Sequence, residues 1–466
     1  MTSAMGTMLT KVTITTPQRG IDVALPENVP VAELLPYILR HAGEEAADRG
    51  ERHGGWSLRR PTGERLEPQQ TLAAQQVRDG EILHLVPGPV DWPEIEYDDL
   101  VEAIASGARR YGRSWGPAQT RRTGLAVCAA LLSAGSLVTL LFEPPWLAPG
   151  LIMLAAAVVL TALGIVIARA VPDAAAGAVF AGSGLPYAFI GGLLCTAPEH
   201  ARLLSIGTPQ LLLGTVALLI FGIIGYLGVG ALGRVFVAAI GIGVLGTLGV
   251  VCGSGLDPDA VASVVVTVAI GLLPAYPWLS IRLGRLPLPA LPQRSADLLK
   301  DEAQPPSPEV FDAAARSDEI LSGLLSGAAV ASGFSAIFLA THAGGSRLIM
   351  LALVAVALLL RARLFPVPRH RIPLLVAGLW AFVLLGQWYF GTATNNAERG
   401  LFLLALGVIA LLAAAAGMVY SGKNPTPWFG RLADFLDVVA IVALIPFAGY
   451  ITGFFAYVQG LMASIG

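Results

Sequence analysis

The sequence predicts a small α+β domain followed by an all-α polytopic membrane domain of about eleven transmembrane helices. Three observations carry this. The 466 residues are 55% hydrophobic and only 13% charged, with a mean hydropathy of +0.68, whereas a soluble domain carries roughly 25% charged residues. Too few charges remain to cover a soluble protein of this size, so most of the chain must meet lipid. Second, 14 of the 30 Lys and Arg lie in the first 122 residues, which separates a polar front from an apolar remainder. Third, eleven apolar runs follow Gly124, and a crossing needs about 20 such residues. The net charge of −2 excludes a basic nucleic-acid footprint.

Met1 to Thr10 lacks the basic start and apolar core of a signal peptide. Residues 1–8 read as a tail, and a folded domain over 9–87 is expected ahead of the membrane, on the side where it is made. Lys11–Thr15 and Ile21–Leu25 alternate with period two around a turn at Pro17–Gly20, which predicts a hairpin. Val12, Ile14, Ile21 and Val23 form its buried side. Val31, Leu34, Leu35 and Ile38 follow at helical spacing, so a helix crosses that side, with Leu34 and Ile38 in the core and a kink at Pro36. A strand at Trp56–Arg59, a turn at Pro61–Gly63 and a return near Leu66 come next. Thr71 opens a helical turn, Asp79-Gly80 a tight turn, and Glu81–Val86 the last strand, with Leu83 and Leu85 inward and His84 outward. This order is that of a ubiquitin-like β-grasp, and the run from Thr71 to Val86 resembles the last third of ubiquitin. Val86-Pro87-Gly88-Pro89 runs on where a conjugated modifier needs a free Gly-Gly tail, so a fixed docking module is expected.

Residues 88–123 read as a cytoplasmic linker. Asp98 or Asp99 can cap an amphipathic helix to about Tyr111, and Arg109, Arg110, Arg113, Arg121 and Arg122 surround Trp115 at the membrane entrance.

The membrane domain, 124–466, divides into segments at approximately 124–142, 150–169, 174–196, 209–231, 234–253, 260–281, 321–341, 347–361, 372–391, 400–420 and 435–461. With the N-terminus cytoplasmic, 18 of the 21 Lys and Arg from Arg109 onward fall inside; Arg202, Arg347 and Arg399 fall outside. This positive-inside bias supports eleven crossings and places the C-terminus outside. The one long cytoplasmic loop, about 282–320, is proline-rich and is either a crossover or a partner surface.

Charge at a helix centre costs about 2.5–3.5 kcal/mol per residue, so a coupled transporter keeps it there only for function. No ionisable residue falls near a midplane; Asp173, Asp259, Asp434, Asp437 and His342 fall at segment ends, and Gln387 is a lone polar exception. Conventional active transport is disfavoured. Gly323, Gly327, Ala331 and Ser335 recur every fourth residue and predict a helix-packing seam, within the chain or between copies. Glycines also crowd the fourth and fifth segments.

Enzyme motifs fail. Gly417–Asn424 has P-loop spacing, but Asn424 stands where Ser or Thr must meet magnesium, and an apolar helix precedes it. Gly422 reads instead as a helix end, followed by Pro425 and Pro427. Cys128, Cys195 and Cys252 read as separate core residues, so neither a disulfide framework nor structural zinc is expected. No catalytic, cofactor-binding or metal-binding residue is assigned, and no enzyme activity is expected.

Glu33–Pro36 in the first helix, Thr71-Leu72, and Val77–Leu83 at the domain's end, together with the linker and the eleven segments, resemble the EccD family of the type VII (ESX) secretion system. The likeness covers essentially the whole chain. It implies a non-enzymatic subunit of an actinobacterial plasma-membrane complex, pairing as a homodimer through its membrane domain around a lipid-filled space. It also implies EccB-, EccC- and EccE-like partners, with EccC the ATPase docked by the ubiquitin-like domain. The alternative is a stand-alone carrier of a lipid or apolar solute with a regulatory ubiquitin-like domain.

Overall fold

The structure is a computed structural model. It describes residues 9–15, 20–42, 56–61, 63–87, 115–171, 173–199, 207–253, 255–287, 307–341, 344–420 and 427–465. The tail 1–8, the linker helix, Arg109, Arg110, Arg113, Arg202, His342 and Gly422-Lys423-Asn424 lie outside the described residues. So do most of the hairpin turn and residues 288–306 of the proline-rich loop. Two compact units divide at Ser114 and Trp115.

The first unit holds β1 (Leu9–Thr15), β2 (Gly20–Pro26), α1 (Val31–Ala42), β3 (Trp56–Arg59) and β4 (Glu81–Pro87). The sheet order is β2-β1-β4-β3. β1 pairs antiparallel with β2 and parallel with β4, placing Ile14 opposite both Ile21 and Leu83. The expected return strand near Leu66 is a single bridge between Arg59 and Arg65. Leu66 itself is buried and donates its N–H to the Leu58 carbonyl. Asp79-Gly80 makes its tight turn with Gly80 at φ +81°, a conformation that suits a residue without Cβ. The Gly80 N–H donates to the Lys11 carbonyl at 2.7 Å, and Asp79 Oδ1 accepts from the Lys11 N–H, also at 2.7 Å.

The second unit is helical: α2 (Pro117–Val138), α3 (Leu147–Ala170), α4 (Ala174–Cys195), α5 (Thr208–Val229), α6 (Gly233–Cys252), α7 (Pro258–Gly271), α8 (Tyr276–Gly284), α9 (Ser307–Thr341), α10 (Gly345–Ala362), α11 (Pro368–Thr392), α12 (Asn396–Tyr420), α13 (Pro427–Ile451) and α14 (Phe454–Ile465). Ten candidate spans among the described residues are long and apolar enough to cross a membrane, with α7 and α8 counted as one continuous 258–284 segment. The expected count was eleven. The difference lies in α2, where Arg121, Arg122 and the hydroxyls of Thr120, Thr123, Ser133 and Ser136 dilute the apolar content. Three further boundaries differ from expectation. α2 begins at Pro117, not near Gly124, and α9 begins at Ser307, well inside the loop expected to reach about 320. The eleventh expected segment, 435–461, is two helices broken at Thr452-Gly453, where Gly453 takes φ +73°.

Small residues set the helix spacing. Gly150, Ala157 and Gly164 of α3 recur every seven residues and face Gly191, Gly184 and Gly177 of the antiparallel α4. A Cβ at Gly164 would lie 2.5 Å from the Gly177 carbonyl oxygen, and one at Gly191 3.0 Å from that of Gly150. Those distances leave room only for hydrogen, so the two backbones touch. Farther along, the core is formed by α7, α9, α10, α11 and α13, with Leu325, Met350, Val354, Leu358, Leu374 and Leu444 fully buried.

Candidate functional site

Val12, Ile14, Leu34, Ile38, Leu83 and Leu85 are buried in one cluster between the sheet and α1. Ile21 and Val23 are only half-buried, because β2 is an edge strand and its side chains are covered from one side. Val31, which shares the helical spacing of Leu34 and Ile38, is buried with them, and Leu25, Leu58, Leu66 and Leu72, not assigned to the core from sequence, complete it. Leu25 continues the alternation of Ile21 and Val23, so its signal was present in the pattern. His84 is half-buried on the outer face of β4, beside the 47%-exposed Ile82. Arg60 ties the domain's loops together. It donates to Glu81 Oε1 at 2.9 Å, Glu64 Oε2 at 3.0 Å and the Gln75 carbonyl at 2.6 Å.

In the membrane unit, Gly323 and Gly327 face α6. A Cβ at Gly323 would sit 2.6 Å from Val237 Cβ, and one at Gly327 2.8 Å from the Ala238 carbonyl oxygen. Ala331 and Ser335 continue this buried side of α9. The stripe therefore joins helices within the chain.

The carboxylates expected at segment ends carry ion pairs between helices. Asp173 caps α4, accepting from the Ala176 N–H at 3.0 Å, and both its oxygens accept from Arg121 of α2 at 2.6 Å. The backbone bond first and the guanidinium second hold its carboxyl below the usual carboxylate range. Asp259, 3% exposed at its side chain, pairs with Arg347 of α10. Asp437 pairs with Arg361 at 3.2 Å, and Asp434 with Arg363. Asp437 was expected near the start of its segment. Since α13 begins at Pro427, it lies within the helix and is nearly buried.

Sequence reasoning missed Asp318, Glu319 and His370. Asp318 meets Arg369 and lies 3.2 Å from Nε2 of the buried His370. Glu319 Oε2 accepts from the Arg234 N–H at 3.2 Å. Placing the seventh segment at 321–341 left both carboxylates in a loop, whereas α9 carries them within its length. Arg169 donates to the Gly228 and Leu227 carbonyls, closing the C-terminal turn of α5.

Cys128, Cys195 and Cys252 are free thiols. Among the described residues, no group of three or more His, Cys, Asp or Glu is arranged to hold a metal ion. What the geometry offers is adhesion: apolar helices held in contact by small residues and pinned by charge at their ends.

The comparisons with known proteins follow the same division. A family model described as the EccD-like transmembrane domain matches residues 120–461. A second, described as the WXG100 protein secretion system protein YukD, matches residues 9–85. The chain is 25% identical over 475 residues to the ESX-4 secretion system protein eccD4 of Mycobacterium tuberculosis, with 97% of each chain covered. It is 27% identical over 489 residues to the ESX-3 secretion system protein EccD3 of the same organism, covering 97% of this chain and 98% of that one. A structure titled as protomer 1 of the ESX-3 core complex superposes with a TM-score of 0.60 at 20% identity, over 96% of this chain and 100% of the other. One titled as a MycP5-free ESX-5 inner membrane complex gives 0.56 at 19%, over 89% and 100%. At these identities the two structures show a shared fold.

Proposed function

This chain belongs to the EccD family, and on that premise we propose that it is a non-enzymatic membrane scaffold subunit of a type VII (ESX) protein secretion complex. The observation that carries the reading is end-to-end similarity to ESX secretion proteins over both units. The internal chemistry agrees: its small-residue seams and ion pairs hold helices together. In this role the ubiquitin-like domain, 9–87, docks the cytoplasmic base of an EccC-like ATPase. The membrane domain pairs with a second copy, and EccB- and EccE-like subunits complete the assembly. The partner hydrolyses the nucleotide; this chain fixes where that partner sits. The protein is a multi-pass component of a bacterial plasma membrane, with a cytoplasmic N-terminus and an extracytoplasmic C-terminus.

The test is isolation of the tagged full chain from its native membrane in mild detergent. Co-isolation of a P-loop ATPase, lost when the ubiquitin-like core is disrupted, is the expected result. A chain that purifies alone and drives flux of an apolar solute in liposomes overturns the scaffold reading.

A further inference from the structure

The segment expected to run unbroken to residue 461 is interrupted at Gly453, and the two parts differ in kind. α13 has 25 residues, which at 1.5 Å per residue gives about 37 Å, enough to cross a hydrocarbon core of about 30 Å without help. α14 has 12 residues, about 18 Å, too short to cross again. Gly453, at φ +73°, ends α13, and its N–H donates to the Tyr450 carbonyl. The Phe455 ring then turns back against Gly449 of α13.

α14 has two unlike sides. Phe454, Val458 and Leu461 fall on one line at helical spacing, flanked by Tyr457 and Met462, while Ala456, Gln459, Gly460 and Ala463 occupy the opposite arc. The apolar side is uncovered by the rest of the chain: Phe454 is 57%, Tyr457 70% and Met462 71% exposed. It continues the exposed apolar surface of α13 at Ile445 and Tyr450.

We propose that α14 is an interfacial helix whose partner is the lipid surface, lying in the headgroup boundary of the leaflet reached by the end of α13 remote from Asp434 and Asp437. Burying one side in acyl chains removes the aromatic and aliphatic groups from water, and the opposite side of small residues around Gln459 remains wet. The phenol of Tyr457 suits that depth, since its ring is apolar and its hydroxyl needs water or a headgroup. The inference concerns only which medium surrounds each side of α14, so it stands apart from the role of the complex.

The experiment uses the full chain with Cys128, Cys195 and Cys252 replaced by Ala, spin-labelled at Leu461→Cys or Gln459→Cys. The variants are placed in nanodiscs of phosphatidylethanolamine and phosphatidylglycerol. Collision with oxygen reports lipid, and collision with a water-soluble nickel chelate reports water. The label at 461 is expected to favour oxygen and the label at 459 the chelate, each by several-fold. Phe454→Cys and Ala463→Cys provide the same contrast should the first pair fail to reconstitute. Two sites equally open to the chelate mean a helix in water; two sites equally open to oxygen mean a helix immersed in the core; two sites closed to both mean a protein neighbour. Any of these overturns the proposal.

Discussion

Removing the guanidinium of Arg347 strands a carboxylate that is only 3% exposed, whereas removing Asp259 leaves an arginine that is 32% exposed and can turn toward water. The two halves of this pair are therefore unequal. Arg347→Ala is expected to cost about 3 kcal/mol and Asp259→Ala about 1 kcal/mol, read as a larger drop in thermal midpoint in detergent for the former. Equal drops would mean that the pair contributes by packing alone. Asp173 gives a pH effect of determined sign. Its folded-state carboxyl is held below the ordinary range, so its stabilisation is fully present above the unfolded-state value of about 4 and is lost as pH falls from there through the lower folded-state value. Asp173→Asn should flatten the acid limb of the stability profile and change little at pH 7 beyond loss of the Arg121 pair. In the β-grasp core, Leu83 is fully buried and Ile82 beside it is 47% exposed. Leu83→Ala is expected to cost about 2–5 kcal/mol and Ile82→Ala under about 0.5, measured by hydrogen exchange of the sheet amides in the full chain. Such residues were legible because period-two alternation fixes the face of each. His370 and Asp318 were not, since their meeting depends on how α9 and α11 are placed side by side.

Within a helix pair, glycine spacing decides how near two backbones come. The sequence displayed the α9 stripe at Gly323 and Gly327 because a four-residue repeat is easily seen. It hid the tighter seam between α3 and α4, whose small residues recur every seventh position and become a seam only when two antiparallel helices are read together. Leucine placed at these positions separates helices whose carbonyls lie in contact with the opposing backbone. Gly164→Leu and Gly327→Leu should each destabilise the chain, by about 1–3 kcal/mol or more. Gly407→Leu is the control: a Cβ there meets nothing within 4 Å, and no residue in the most apolar 18-residue stretch of α12 is buried inside the chain. Thermal unfolding in detergent should therefore rank Gly164→Leu and Gly327→Leu well below the parent and leave Gly407→Leu unchanged. If all three behave alike, close approach is not what holds these helices. Helix existence was legible from apolar run length; helix ends were not, because α9 begins with a long polar stretch and α13 with turns carrying Gly430, Arg431 and Asp434, both lying ahead of the continuous apolar run.

Across the whole molecule, the polar contacts between helices constrain the direction in which each one runs. Arg121 and Asp173 join the starts of α2 and α4; Arg169 and Gly228 join the ends of α3 and α5; Arg234 and Glu319 join the early turns of α6 and α9. The end of α10 meets the early part of α13 through Arg361 and Asp437, and the start of α11 meets Asp318 of α9. Gln210 at the start of α5 donates to the Thr196 carbonyl past the end of α4, and Arg347 meets Asp259 at the starts of α10 and α7. Every one of these contacts joins helix portions that strict alternation puts on the same side. α2, though outside the ten most apolar helices, obeys the same order: its start lies with that of α4, so it runs parallel to α4. Among the described residues, two basic exceptions to the positive-inside pattern also find partners, Arg347 with Asp259 and Arg399 with the Ala393 carbonyl and the Phe390 ring. If α2 crosses as well as the ten candidate spans and α14 does not, the crossings number eleven, an odd number that would put the chain's two ends on opposite sides. A reporter active only in the cytoplasm should therefore be bright when inserted between Gly284 and Ser307, and silent when fused after Gly466. A bright signal at both positions would require that one of α9 to α13 fails to cross, whereas a silent first position with a bright second one would require that α2 or one other helix before the loop fails to cross.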